Sequence, residues 1–112
     1  MHEAVKIFVR SAIAANQDLM QRPPSEINAL DVGSYNINGT ARDLIEAQWT
    51  GIDWREGRDV DVVTLAHEYK PQQRFDIVTC LEVLEHDPYW WNTLKMIFER
   101  AIKDNGLVVT IS

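Results

Sequence analysis

Along the first twenty residues the apolar positions recur every three or four places. Val5, Phe8, Val9, Ala12, Ile13 and Met20 share one stripe with Asn16, while Lys6, Arg10 and Gln17 lie off it. That spacing predicts a helix over residues 3–20 with one buried face. Pro23 and Pro24 in "QRPPSE" end it, because proline cannot donate to the helical ladder and drives the residue before it out of helical geometry. The period then changes. Short runs rich in branched and aromatic residues, bounded by turn formers, occur at 27–32 (INALDV), 49–53 (WTGID), 60–64 (VDVVT), 75–80 (FDIVTC) and 107–111 (LVVTI). They read as five strands.

Two further helices are expected between the strands. "TARDLIEAQ" sets Thr40 and Asp43 at capping-box spacing, with Leu44, Ile45 and Ala47 able to face a sheet, and predicts a crossover helix. "PYWWNTLKMIFERAIKDNG" has Pro88 near its start, Trp91, Leu94, Phe98 and Ala101 or Ile102 on one stripe, and Asn105-Gly106 as its stop. Trp91 is therefore expected in the core, and Trp90 is open. Strands alternating with helices, several of them apolar enough to be covered on both faces, specify an α/β fold with a parallel sheet and right-handed crossovers.

The 112 residues allow one domain, 1–112, with an N-terminal helix over 1–22 and an α/β core over 27–112. Seventeen acidic against eleven basic residues leave a net charge of −6, which argues against a nucleic-acid surface. One cysteine, Cys80, permits no internal disulfide and is expected as a small buried hydrophobe in a reducing, cytoplasmic compartment. No apolar run is long enough to span a bilayer.

The chemistry concentrates after the first strand. In parallel sheets ligands bind beyond the carboxyl ends of the strands, the place held here by "DVGSYNINGT". Gly33 offers close backbone access, Ser34, Asn36 and Asn38 short polar groups, and Gly39-Thr40 the start of a helix whose free amides favour an anion. Asp31 is placed to hold an amino group. Asp53, ending the second strand, stands where an acid receives the two hydroxyls of a ribose. The absence of G-x-G-x-x-G disfavours a dinucleotide and with it an oxidoreductase.

These segments resemble the class I S-adenosylmethionine-dependent methyltransferases over nearly the whole chain. The residues are "ALDVGSYNINGT" for the first motif, "WTGIDWREGRDVDVV" for the second strand and beyond, "FDIVTCLEVLEHDPYWW" for the fourth strand and its following helix, and "IKDNGLVVTIS" for the fifth strand. The combination is similar in particular to uncharacterised bacterial and phage methyltransferase-domain proteins. The resemblance implies a three-layer Rossmann-like sandwich of strand order 3-2-1-4-5 with helices on both faces. It implies S-adenosylmethionine as donor and S-adenosylhomocysteine as product. Asp31 and Gly33 would approach the methionine part, Asp53 the ribose hydroxyls and Trp54 the adenine, with Ala66 and His67 at the adenine edge; Ser34, Tyr35, Gly39, Leu81 and Glu82 complete the expected donor-binding set. Two departures stand out: Leu65 replaces the usual acid before Ala66, and Tyr35 and Ile37 occupy glycine places of the first motif.

"LEVLEH" sets Glu82, Glu85 and His86 at i, i+3 and i+4, one face of a helix. Such a face suits a divalent cation, but the reading preferred here is a structural or substrate-facing cluster without metal, with Glu85 and His86 as the nearest bases for a hydroxyl acceptor. The family fold has two more strands than the five found, so the expectation is a domain shortened after the fifth. Its open sheet edge would allow a homodimer. Two functions are open: a methyltransferase acting on an unidentified acceptor, or a donor-binding module without turnover that works as a dimer or partner-binding protein.

Overall fold

The computed structural model describes residues 3–35, 39–81 and 83–111. Five parallel strands, β1 (Asn28–Val32), β2 (Gln48–Asp53), β3 (Val62–Val63), β4 (Phe75–Leu81) and β5 (Ile102–Ile111), form one sheet in the order β3-β2-β1-β4-β5. This is the Rossmann-like order that the resemblance implied. Among the described residues no helix is long and apolar enough to cross a membrane.

Alternation along the strands divides the core in two. Ala29 of β1, Ile77 of β4 and Val109 of β5 point to one face, where they meet Val5 and Val9 of helix α1 (Glu3–Ala15). Leu30, Val32, Val78 and Cys80 point to the other, against Met96 of helix α3 (Trp90–Met96) and Ile97 and Ala101 just after it. Cys80 is buried and free, as expected. Burial, with the Asp31 and Asp87 carboxylates nearby, pushes its thiol up to about 12, so it packs as a hydrophobe.

The helices differ from the sequence reading in four ways. The first breaks at Asn16, whose amide side chain donates to the Ala12 carbonyl at 2.8 Å, and a short α2 (Gln17–Met20) comes next. Local bonds of this kind compete with the helical ladder. Phe8 falls off the buried stripe and is exposed.

The expected crossover helix is a single 3₁₀ turn, Ala41–Asp43, although its Thr40–Asp43 capping box forms as read. To run back along β1, about 17 Å long at strand rise, a helix needs about eleven residues. Only 41–47 lie between the cap and β2. The chain instead returns in turns that still bury Ile45 and pack Leu44 and Ala47 on the α1 side.

After β4, Leu84–His86 is likewise only a 3₁₀ turn, so the candidate metal-binding face of an α-helix does not form. Glu82 lies outside the described residues. Among the rest, no group of three His, Cys, Asp or Glu side chains could hold a metal.

The fourth difference is the rotation of α3. Trp91 is 62% exposed and Phe98 is also exposed, while Thr93, Met96, Ile97 and Ala101 face the core. Asp87 explains the rotation: its carboxylate accepts from the Tyr89 amide, just ahead of the helix, and from the Thr93 hydroxyl, which satisfies the one polar group on the buried stripe. The helix widens into a π turn over Ile97–Ala101, and β5 begins at Ile102 instead of after Gly106. Asn105 and Gly106 sit in an irregularity between the Phe75–Ile102 pair and the regular ladder that joins Ile77–Leu81 to Leu107–Ile111.

At the amino end of the sheet the buried Asp76 carboxylate accepts from the Asn28 amide at 2.9 Å, Arg22 at 3.0 Å and Lys103 at 2.9 Å. Burial alone would raise this carboxyl, but the Asn28 amide, Lys103 and Arg22 together hold it below the usual range. Its contribution to stability is therefore present above about pH 4 and lost as pH falls through the lowered value. Asp76→Asn is expected to cost about 1–3 kcal/mol at pH 7. Urea denaturation checks this, and the cost should shrink below pH 4.

Candidate functional site

Gly33 is the hinge on which the site is built. It leaves β1 at φ +78, and a Cβ there would lie 2.2 Å from the Val83 side chain. Only glycine lets the strand end turn while the segment after β4 closes over it. The Gly33 and Ser34 amides both donate to the Ile52 carbonyl, at 2.8 and 3.0 Å, tying the turn to β2. The close approach at Gly33 is thus used by Val83 of the same chain.

Beyond this turn a cleft of about 790 Å³ opens at the carboxyl ends of β1, β2 and β4. That size suits a small-molecule or cofactor ligand. Of the residues expected at the donor site, Asp31, Gly33, Tyr35, Gly39, Asp53, Trp54, Ala66, His67 and Leu81 line it, as does His86. Ser34 and Glu85 do not. Ser34 is fully buried with no hydrogen-bond partner for its hydroxyl among the described residues. Glu85 stands beside His86, their side chains 3.5 Å apart, and the His86 ring is at the rim, 80% exposed. Asn36 and Asn38 lie outside the described residues. Two of the amides expected to be free after Gly39 are taken: Thr40 N donates to Asp43 Oδ2 at 3.1 Å and Arg42 N to Thr40 Oγ1 at 3.3 Å.

Asp53, nearly buried, is held at both oxygens. Oδ2 accepts from the Tyr35 amide at 3.1 Å and Oδ1 from the Arg55 amide at 3.0 Å. A carboxylate has about four acceptor positions; among the described residues the two backbone amides take two of them, and Arg55 Nε stands 3.7 Å from Oδ1 as an ion pair. The Arg55 guanidinium lies 4.1 Å from the Tyr35 ring centroid and 5.0 Å from that of Trp54, walling the cleft over Asp53. On the far side His67 stacks on Tyr89 at 4.4 Å, joining the turn after β3 to the start of α3. Sequence reasoning missed Arg55, Val83 and Tyr89. Tyr89 had a signal, an aromatic beside the strand-end cluster "LEVLEHDPY"; the others depend on loop shape.

Asp31 is 4% exposed and its Oδ1 accepts from the Thr79 hydroxyl at 2.9 Å. Burial pushes its carboxyl up to about 7; the Thr79 bond and Arg42 pull it down, and Asp59 and Asp53 push it up. Near neutrality this group is therefore poised between its two forms, at the mouth of the cleft it lines.

A methyltransferase domain family matches residues 5–111, a span that takes in all five strands and every residue lining the cleft. The chain belongs to that family. With its 3-2-1-4-5 parallel sheet it is a class I S-adenosylmethionine-dependent methyltransferase fold. No curated protein and no solved structure matches the chain. In this methyltransferase domain the cleft lies at the strand ends where doubly wound sheets bind their ligands.

The buried acid gives the domain a pH signature. Because the folded value of Asp31 lies above its ordinary 3.8, its contribution to stability is fully present below about pH 4 and lost as pH rises through about 7. Asp31→Asn is expected to be more stable than the parent chain at pH 8, by up to about 4 kcal/mol. The gain should fade to nothing by pH 4. Urea denaturation at pH 4, 6 and 8 checks this; a difference that does not vary with pH would refute the assignment.

Proposed function

We propose that this methyltransferase domain binds S-adenosylmethionine in the cleft and transfers its methyl group to an acceptor, releasing S-adenosylhomocysteine. The observation that carries the reading is the placement of Asp31 and Asp53 at the ends of adjacent strands, both opening on one cleft. The acceptor positions of Asp53 that its two backbone amides leave match in number the two hydroxyls of a ribose. Asp31, when ionised, is an anion shielded from water, the environment in which an ammonium group is held most strongly. Trp54 on one side and Ala66 with His67 on the other offer flat and apolar surface for a purine.

The bound donor supplies an electrophilic methyl group on a sulfonium, so the protein has mainly to orient the reactants and keep water out. Asp31 fixes the amino-acid end of the donor and Asp53 its ribose. Val83, packed on Gly33, and Tyr89, packed on His67, close the wall between them. For a hydroxyl acceptor the proton leaves to a base, and His86 at the rim is the group of this chain placed to take it, with Glu85 beside it to stabilise the imidazolium.

Calorimetric titration with S-adenosylmethionine and S-adenosylhomocysteine tests the reading. Micromolar binding is expected for the parent chain. Asp53→Ala removes two hydrogen bonds to a charged acceptor and should weaken binding at least about thirtyfold. Circular dichroism of the variant confirms that it is folded. No heat from the folded parent chain would sink the proposal.

A further inference from the structure

Three residues stand side by side across the carboxyl end of the sheet: Thr79 of β4, Asp31 of β1 and Gly51 of β2. Residues in register on a parallel ladder point to the same face. The face that takes the Asp31 side chain therefore has bare backbone at Gly51. Arg42 fills that space. A Cβ on Gly51 would stand 2.8 Å from Arg42 Nη2, 2.5 Å from Ser34 Oγ and 2.0 Å from the Asp59 carbonyl oxygen. Any other residue at 51 would displace the guanidinium from its place beside Asp31.

A clamp holds the guanidinium there. Arg42 Nη2 donates to the Asp59 carbonyl at 3.0 Å and to Asp61 Oδ2 at 2.8 Å. The same Asp61 oxygen accepts from the Gly51 amide at 2.7 Å. The Asp59 carboxylate lies 4.0 Å from Arg42 Nη1, and Asp59 itself has φ 65. Thus the chain between β2 and β3 curls back to lock one cation over one glycine.

We propose that Arg42 is a positioning residue of the donor site: laid over Gly51 beside Asp31, it keeps that buried carboxylate in the ionised form that receives the cationic end of the methyl donor. The inference rests on the donor-binding function proposed above and adds how the site is charged. The groups around Asp31 are Arg42 from the turn after Thr40, with Asp61 paired to it, Asp53 from β2, Asp59 from the β2–β3 connection, and the Thr79 hydroxyl from β4; the Cys80 thiol lies nearby on the opposite face of β4. The Cys80 thiol stays protonated, so two anions and one cation act on the carboxylate. Removing the cation leaves Asp31 with Asp53, Asp59 and the Asp61 that Arg42 had paired, and the most buried of these acids takes up a proton.

Carboxyl ¹³C NMR of the free protein from pH 4 to 9 reads the Asp31 midpoint directly. Arg42→Gln should raise it by about one unit, Arg42→Lys should restore it towards the parent value, and Asp59→Asn should lower it. Asparagine tolerates the left-handed backbone at 59, so this last variant keeps the loop. A disturbance of structure alone would not move the midpoint in opposite directions. Titrations with S-adenosylmethionine at pH 6 and pH 8 complete the test: about tenfold weaker binding at pH 6 is expected for the parent chain, a larger ratio for Arg42→Gln and a smaller one for Asp59→Asn. Midpoints unmoved, or moved the same way in both variants, would overturn the role of Arg42. Midpoints that move as expected in a chain that binds no donor at any pH would instead overturn the donor-binding function and the part of this inference that rests on it.

Discussion

A carboxylate kept out of water at the end of β1 is the constraint on which the rest of the site depends. Desolvation of an acid is costly unless hydrogen bonds and opposite charge offset it, and the fold supplies one from a neighbouring strand and the other across a neighbouring strand. Thr79 donates from β4. Across Gly51 of β2 comes a guanidinium from the turn after β1. These partners lie far apart in sequence and meet because the order β2-β1-β4 puts β1 between them. The parallel topology is thus a condition for the charge as well as for the cleft.

The two ends of the sheet handle buried acid in opposite ways. At the amino end Asp76 is surrounded by donors, two of them cationic, and its charge contributes stability. At the carboxyl end Asp31 has one hydroxyl donor and the Arg42 guanidinium against two acids and near-complete burial, and its charge costs stability. A protein selected for stability alone has no reason to keep the second arrangement. Its presence where the cleft opens fits a group whose charge is fully compensated only when a cationic ligand arrives, the usual trade of stability for function at binding sites.

Much of this was legible in the sequence, and the exceptions share a cause. Strands, sheet order, the acids at 31 and 53 and the glycine at 33 come from local pattern, strand ends and family likeness, because burial and backbone freedom leave marks at single positions. The helices were less legible. The stripe Trp91-Leu94-Phe98 has the right period, but so does Thr93-Met96-Ile97-Ala101, and what chooses between them is a bond from Thr93 to Asp87 that period does not encode. The crossover after Thr40 was over-read for a different reason: its cap was correct, but the residues remaining were too few to carry a helix back along β1. Counting that distance would have given the turn. Arg42 and Asp61 could not be found by either route, since each looks like an ordinary surface charge until the β2–β3 connection folds over Gly51.

Gly51 joins these levels. In the sequence it is a weak residue inside a strand, an expected loss of side-chain packing. In the sheet it is the gap through which a backbone carbonyl, a serine hydroxyl and a guanidinium approach the ladder. Such an approach serves nothing in the hydrophobic core, which on this side is made by Val5, Val9, Ala29, Ile45 and Ile77. It serves the carboxylate next door. Gly33 carries the same logic one position beyond the strand end, where it admits Val83 and so shapes the cleft wall. The first glycine therefore determines how the site is charged and the second how it is enclosed, and both act by leaving out a side chain where a neighbour must come close.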